Sequence, residues 1–244
     1  MSMAIILLGS LVQDGKKNAF PTAYAGGSFD VVDTDGMRAI PWLVAGEKLF
    51  CCYNLLHGIS WKALERNHKV FGCQANIDGF SFQCRIPTPG MAPGGEWDAA
   101  IDLVKGDDLV LHWKDHRSWC QRDGSEPKTR VVRGGGLAKE WTSFPEATFA
   151  DWRPVLEPCG VPIPGADTGF QLRAGYELMV WGDGCVLRGK LLDQSKYDLI
   201  LQSSGNWFAD DTGPLFRTIP GKDKKIIVDK SQIKLVQIGR FVGL

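Results

Sequence analysis

Alternating hydrophobic and polar positions predict a β-rich chain, and the alternation is most regular in the last third of the sequence. Strands are predicted at 176–181, 185–192, 197–202, 225–228 and 233–238. Glycine-containing or polar turns separate the first three strands, and a polar insertion at 203–223 precedes the fourth. Short strands of this kind leave open edges unless the sheet closes. We therefore predict a small five-stranded β-barrel.

Before this region the predicted elements are shorter and more widely spaced. The predicted strands lie at 4–12, 48–53 and 80–86, and the predicted helices lie at 61–67 and 97–104. Ser60 precedes the first helix as an N-cap, and Trp61 and Leu64 form its buried face. A mixed α+β domain is the fold class that these elements indicate.

The two patterns meet at a proline-rich stretch, EPCGVPIPG at 157–165. Its three prolines fix φ and remove backbone donors, so no regular element runs through it. The predicted organisation is an N-terminal domain at 1–158, a linker at 159–170 and a C-terminal domain at 171–244.

Charge and hydropathy exclude several classes of protein. The 28 basic residues balance 28 acidic residues, whereas proteins that grip nucleic acid by its phosphates usually carry an excess of Lys and Arg. The apolar run at 4–8 is too short to cross a bilayer and has no basic residue before it. We therefore expect no membrane association and cytoplasmic synthesis without a signal peptide.

The seven cysteines are odd in number and form no repeated CxxC pair, which disfavours a disulfide framework and a zinc ribbon. Buried thiols in a reducing compartment are the expected state. Cys73 and Cys84 flank a glycine-containing hairpin and are predicted to lie opposite each other, so a bond between them is an open alternative.

Four segments of the N-terminal region are similar to motifs of formylglycine-generating-enzyme-like domains. They are NLLHGISW at 54–61, RIPT at 85–88 with GEWD at 95–98, RVVRGG at 130–135 and DWRPVL at 151–156. The resemblance covers roughly residues 40–158 and implies a C-type-lectin-like fold. In that fold a small twisted sheet and two helices carry long loops.

Enzymes of that family use cysteines that follow the RGG segment, but residues 137–149 contain no cysteine. We therefore expect no enzyme activity and no catalytic residues. Other relatives of the fold are ligand-binding proteins, including phage-tail and diversity-generating variable proteins. In these relatives the recognition residues lie between the last two motifs. The resemblance thus places ligand-binding residues at Lys139, Glu140, Trp141, Ser143, Phe144 and Glu146.

The aromatic residues of that stretch have a second interpretation. Rigid aromatic and small polar side chains together are typical of an adaptable binding face. Alternatively, Trp141, Phe144 and Phe149 fill the core beneath the loop. The sequence leaves both interpretations open.

His112 and His116 are the histidines that the sequence brings close together, with Asp115 beside them. They would share one face of a helix, but HExxH is absent and no third ligand can be placed. We expect no metal site and no cofactor.

The C-terminal region is similar to Sm and Hfq-like small β-barrels. Residues 176–192 resemble the first Sm motif, with Gly189 where such barrels bend, and residues 226–236 resemble the second. Tyr197 and Lys230 match RNA-reading positions of Hfq-like proteins, but Ser231 stands where that family has histidine. The resemblance implies either a barrel that self-associates or an RNA-binding ring, and we favour self-association.

Together these patterns predict a non-catalytic ligand-binding or adhesive protein. Its lectin-like loops recognise a protein or glycan, its barrel assembles copies, and its origin is a phage or another mobile element, with the protein in the virion. The alternative is an Sm/Hfq-like RNA-binding ring.

Overall fold

A computed structural model describes residues 3–89, 95–161, 172–203, 216–219 and 225–243. Within these ranges the chain is mostly β-strand with a few short helices, and the strands form four sheets. The helical share is smaller than the predicted α+β class suggests, because several stretches interpreted as loops form short strands.

The α-helices are α1 (Trp61–Arg66), α2 (Glu96–Leu103) and α3 (Asp108–Leu111). The strands, in chain order, are β1 (Ile5–Leu7), β2 (Ser10–Gln13), β3 (Lys16–Lys17), β4 (Thr22–Ala23), β5 (Phe29–Val32), β6 (Pro41–Ala45), β7 (Lys48–Cys51), β8 (Leu56–Ser60), β9 (Cys73–Ile77), β10 (Phe80–Arg85), β11 (Ser118–Asp123), β12 (Thr129–Arg133), β13 (Trp141–Pro145), β14 (Phe149–Trp152), β15 (Val155–Pro158), β16 (Tyr176–Gly182), β17 (Cys185–Gln194), β18 (Asp198–Ser203), β19 (Phe216–Ile219), β20 (Lys225–Asp229) and β21 (Leu235–Phe241).

The first sheet is antiparallel, in the order β1-β6-β7-β15-β10-β9. The second is mixed, in the order β13-β12-β11-β14-β8-β4, with parallel pairs at β11–β14 and β4–β8. The third joins β3, β2 and β5. The fourth is antiparallel, in the order β19-β20-β18-β17-β16-β21.

The predicted helices and C-terminal strands are confirmed within a few residues. The fourth sheet has six strands among the described residues, not the predicted five, because β19 forms within the predicted insertion. β19 and β21 are its two edge strands, so the described ladders show a sheet and leave closure into a barrel as a proposal. The Ser60 side chain caps α1 by accepting a hydrogen bond from the Ala63 amide. Trp97 of α2 is buried. The strand predicted at 4–12 is interrupted at Gly9, whose φ is +69° and whose Cα lies so close to Val31 that a Cβ would meet that side chain at 2.6 Å. Most of the linker and of the insertion at 203–223 lies outside the described residues.

Three arginines of the N-terminal motifs are buried and make structural contacts. Arg153 donates to the carbonyl oxygens of Cys51 and Cys52 at 2.8 and 2.9 Å, and its guanidinium also lies over the Phe50 and Trp97 rings. Because a buried charge needs partners, this network fixes the loop ends around it.

The other two arginines tie α2 to the sheets. Arg85 of β10 forms an ion pair with Glu96, and Arg133 of β12 forms one with Asp98. The Glu96 carboxylate also accepts from the Thr88 amide at 2.9 Å, while the Glu96 amide donates to the Thr88 hydroxyl at 3.0 Å. The RIPT and GEWD segments therefore act together as the N-terminal cap of α2.

One hydrophobic cluster runs from the N-terminal sheets into the C-terminal sheet. The Phe82 and Trp181 rings meet edge to face at 6.4 Å. Arg188 contacts Asp78 at 3.2 Å, and the Gln237 amide donates to the Ser81 carbonyl oxygen. The fourth sheet thus packs directly on β10 of the first sheet.

The cysteines are free thiols, and five of the seven are buried, as predicted. Cys73 and Cys84 are register partners on β9 and β10, so they do lie opposite each other, unbonded.

None of the described helices is long and apolar enough to span a membrane.

Candidate functional site

The chemically richest cluster lies on the mixed sheet, where β14 runs between β8 and β11. β14 supplies Asp151, β8 supplies His57, and His116 lies two residues before β11 begins. Ser118 is the parallel register partner of Asp151, which brings the start of β11 beside the carboxylate. Three neighbouring segments therefore bring one carboxylate and two imidazoles together.

Both imidazoles contact the same carboxylate oxygen. The Nδ1 atoms of His57 and His116 lie 3.0 and 3.2 Å from Asp151 Oδ2. The two rings stack with centroids 4.8 Å apart and an interplanar angle of 22°. A carboxylate can only accept, so a hydrogen bond here places a proton on each Nδ1, and in the neutral imidazole the lone pair is then on Nε2. Neither Nε2 has a partner among the described residues.

A β-bulge turns these side chains toward one another. In the β8–β14 ladder, Ala150 pairs with Ile59 and Trp152 pairs with Leu56, so two residues of β8 face Asp151 alone. The extra residue is accommodated at Gly58, with φ of +69°. Bulges re-aim side chains in this way. The Gly58 amide also donates to Asp151 Oδ1 at 3.3 Å, which holds the carboxylate in place.

The glycines of the RVVRGG motif position His116. Gly134 has φ of +86°, and a Cβ there would lie 2.6 Å from the His116 carbonyl oxygen. The Asp115 amide donates to the Gly135 carbonyl oxygen at 3.0 Å. Since only glycine permits both the conformation and the close approach, the motif supports the turn that presents His116.

The cluster forms part of the wall of an open cleft of about 560 Å³. Phe144, Phe149, Arg117 and Asp115 line the cleft beside it. The Arg117 guanidinium lies over the Phe144 ring at 5.4 Å. Asp151 is 8% exposed, whereas Phe149 is 66% exposed. The cleft therefore combines a buried anion, imidazoles, a cation and open aromatic surface.

The predicted ligand-binding residues are divided among several places. Phe144 lines the cleft, and Glu140 braces its wall by accepting from the Gly136 amide and contacting Arg117 at 3.4 Å. Trp141 is 45% exposed. Because side chains alternate along a strand, Trp141 and Phe144 face opposite sides of β13.

The remaining predicted residues lie outside the cleft and have structural partners. Lys139 pairs with Asp102 of α2 at 2.6 Å, and Glu146 pairs with Arg130 at 2.6 Å. The Ser143 hydroxyl accepts from the Ser125 amide at 3.0 Å. The cleft thus draws only partly on the stretch that the resemblance indicated.

The predicted RNA-binding pair lies beside the fourth sheet, with Tyr197 just before β18 and Lys230 just after β20. The Lys230 amide donates to the Tyr197 carbonyl oxygen at 2.8 Å, so the two residues are neighbours. Tyr197 is 68% exposed, with the Lys196 ammonium over its ring at 5.7 Å. Lys230 Nζ is engaged by the Ser195 carbonyl oxygen at 2.6 Å.

His112 and His116 do not share a helical face, so the metal pair that the sequence disfavours does not form. α3 ends at Leu111, and His112 is its left-handed C-cap, with its ring stacked on Tyr53 at 4.0 Å. Sequence reasoning missed His57 and Asp151 as partners of His116. The signal was present, because both lie inside the quoted motifs NLLHGISW and DWRPVL, whose strands β8 and β14 pair.

A larger cavity, about 780 Å³, lies between the β6–β7 turn, α2 and the β16–β17 turn. Phe50, Leu103 and Val155 supply apolar walls. Of its six charged lining residues, Lys48 and Glu96 are paired with each other at 2.7 Å, and Asp102 is paired with Lys139 at 2.6 Å. The smaller cleft contains the Nε2 atoms of His57 and His116, which have no hydrogen-bond partner among the described residues, so it is the better candidate site.

No family model, no curated protein and no solved structure matches this chain.

Proposed function

We propose that this protein is a non-catalytic ligand-binding protein, with a C-type-lectin-like region that recognises glycans and an Sm-like barrel that assembles copies. The cleft beside His57, His116 and Asp151 is the observation that carries the proposal. The virion of a phage or another mobile element is the setting that we propose for it.

The motif contacts support the lectin-like assignment. Arg85, Arg133 and Arg153 each occupy a motif position and each make buried contacts that join a helix or loop to a sheet. A chance similarity of sequence would not predict that all three arginines have the same structural role. The proposal therefore rests on motif residues that cooperate in space.

The strand order of the fourth sheet supports the Sm-like assignment. The five predicted strands are β16, β17, β18, β20 and β21, here counted 1 to 5 in chain order. Their order across the sheet is 5-1-2-3-4, and β19 pairs on the outer side of strand 4. A 3₁₀ turn at Lys230–Gln232 joins strands 4 and 5. A Cβ on Gly189 would lie 2.8 Å from the Gln202 carbonyl oxygen. Glycine thus permits the close approach of β17 and β18 at the position where such barrels bend.

The chemistry of the cleft favours a glycan. A sugar ring offers an apolar face and a rim of hydroxyl groups. Phe144 and Phe149 supply flat apolar surface, while Arg117, His57 and Asp151 supply donors and acceptors around it. Binding sites typically combine apolar walls with a few convergent polar groups in this way.

The thiols support a non-catalytic role. Burial raises the pKa of Cys52 to about 11 and that of Cys84 to about 12, and it raises the pKa of Cys51 and Cys120 further still. The thiolate is the reactive form of cysteine, so these thiols are inert at neutral pH. These four buried thiols therefore give no support to thiol-based oxidation of a substrate.

A glycan array probed with the labelled full-length protein tests the proposal. We expect binding to a restricted set of glycans, with a loss of about tenfold or more in Phe149→Ala and Arg117→Ala, since each removes a cleft contact.

The matched control is Trp141→Ala, which removes a 45% exposed aromatic ring from the face of β13 opposite to Phe144. It should bind as the unmodified protein does. Absence of binding to any glycan, or loss of binding in Trp141→Ala but not in Phe149→Ala, would contradict the assignment of the cleft.

RNA binding is the second candidate function, favoured by the exposed Tyr197 ring and its flanking Lys196. Fluorescence anisotropy with single-stranded RNA should then show salt-sensitive binding that falls in Tyr197→Ala. Light scattering coupled to size exclusion provides the second test. A ring-sized mass favours an Sm-like interface, whereas a monomer without RNA affinity excludes this candidate and also removes the assembling role of the barrel.

A further inference from the structure

The His57, His116 and Asp151 cluster has the donor set of a transition-metal site. Two imidazole nitrogens with one carboxylate oxygen is a combination that first-row ions such as Zn²⁺ and Fe²⁺ accept. Calcium and magnesium prefer oxygen ligands alone. The cluster therefore selects for the borderline-soft class of ion.

The spacing of the atoms fits an ion with little movement. An ion bound at Nδ1 replaces the two protons that otherwise lie between the imidazoles and Asp151 and releases them to water. The Nδ1-to-Oδ2 separations of 3.0 and 3.2 Å are then those between neighbouring ligands around an ion with bonds of about 2.1 Å. The three candidate ligand atoms lie within 4.8 Å of one another. Two ligands of one ion cannot be more than about 4.2 Å apart at that bond length, so the imidazoles must close slightly.

The three side chains differ in how tightly they are held, and the two imidazoles are the ones free to move toward an ion. Asp151 is held by the Gly58 amide and is 12% exposed at its side chain. The side chains of His57 and His116 are 30% and 42% exposed. A fixed carboxylate with two adjustable imidazoles allows the ring movements without disturbing the core.

We propose that His57, His116 and Asp151 bind one divalent first-row transition ion, with Zn²⁺ as the reference ion. Three protein ligands leave at least one coordination position open. That position faces the cleft lined by Phe144 and Phe149, where water or an oxygen of a bound ligand completes the coordination. The site does not depend on the proposed glycan recognition.

Isothermal titration of the chelator-treated full-length protein with Zn²⁺ alone tests the site. The titration uses a Cys159→Ser background, because Cys159 is exposed and would offer a competing thiol. We expect one equivalent bound. Affinity should fall at least about a hundredfold in His57→Gln and in His116→Gln, and in Asp151→Asn, since each removes one ligand.

The matched control is His68→Gln, which removes an exposed histidine outside the cluster. It should bind Zn²⁺ as the background protein does. Circular dichroism verifies folding, and the two histidine variants suffice if Asp151→Asn does not fold.

Two results would overturn the metal site: no stoichiometric binding, or equal affinity in the background protein and in both histidine variants. The readout is independent of the glycan array, so either proposal can fail while the other stands. Co²⁺ loading adds a spectroscopic test, because nitrogen and oxygen ligands give ligand-field bands without the intense charge-transfer bands of thiolates.

Discussion

Glu96 shows how one motif residue determines stability at the residue scale. Burial disfavours its carboxylate, but hydrogen bonds from Arg85 and Lys48 outweigh burial and lower the pKa of Glu96 from 4.5 to about 2. A carboxyl whose pKa is lowered by folding stabilises the protein above its unfolded pKa. That contribution is lost as the pH falls from about 4.5 through about 2.

We predict that Glu96→Gln lowers the free energy of unfolding at pH 7 by roughly 3 kcal/mol, because a shift of about 2.5 pKa units is worth that much. Urea unfolding at a series of pH values measures it, and the variant should lose less stability than the unmodified protein between pH 5 and 2. Glu157→Gln is the control, since Glu157 is 44% exposed and contacts the same arginine. This substitution should lower the free energy of unfolding by less than about 1 kcal/mol. Parallel curves for Glu96→Gln and the unmodified protein would disprove this role.

The motif residues can be identified from the sequence, but the residues that they contact cannot. Arg85 and Glu96 lie close in sequence, and their pairing follows from a strand that leads into a helix. His57 and Asp151 meet only because β8 pairs with β14 and a bulge at Gly58 re-aims one side chain. Register and bulges depend on tertiary packing, so periodicity alone does not predict this cluster.

At the scale of elements, regular alternation and caps made some predictions accurate. The five C-terminal strands and both longer helices formed where the pattern placed them. Strands β13 and β14 were missed, because TSF and ADW alternate too briefly to distinguish strands from a polar loop. β13 pairs with β12, and β14 pairs with β8 and β11. Five of the six strands of the sheet that carries the candidate site have five residues or fewer.

The loop formed by the RVVRGG motif offers a test of how an element positions the site. We predict that Gly134→Ala costs more stability than Gly184→Ala by about 1–3 kcal/mol. Both glycines have positive φ, +86° and +69°, so both substitutions impose the same backbone strain of roughly 1–2 kcal/mol. Only at Gly134 does the new Cβ meet the backbone that carries His116, whereas nothing lies within 4 Å of the Cβ at Gly184.

Urea unfolding compares the two variants, and the imidazole NMR signals of His57 and His116 report the geometry of the site. Those signals should move in Gly134→Ala and stay in Gly184→Ala. Equal losses of stability with unmoved signals would mean that the motif glycines do not position the cluster.

At the scale of the whole molecule, composition patterns suggested two domains, but they do not report how the domains pack. Trp181 is fully buried, and its indole donates to Gln237 at 3.0 Å. Gln237 in turn reaches the Ser81 carbonyl oxygen of β10. Contacts between distant parts of the chain leave no hydrophobic periodicity in the sequence, so they can be identified only from the structure.

Because one hydrophobic cluster crosses the predicted domain boundary, we predict a single cooperative unfolding transition for the full chain. Trp181→Ala removes the ring that meets Phe82, and a buried tryptophan truncated to alanine costs about 3–5 kcal/mol. Differential scanning calorimetry should therefore show the whole transition moving to lower temperature in the variant. Two separate transitions, with only one displaced by Trp181→Ala, would mean instead that the C-terminal sheet folds independently of the N-terminal sheets.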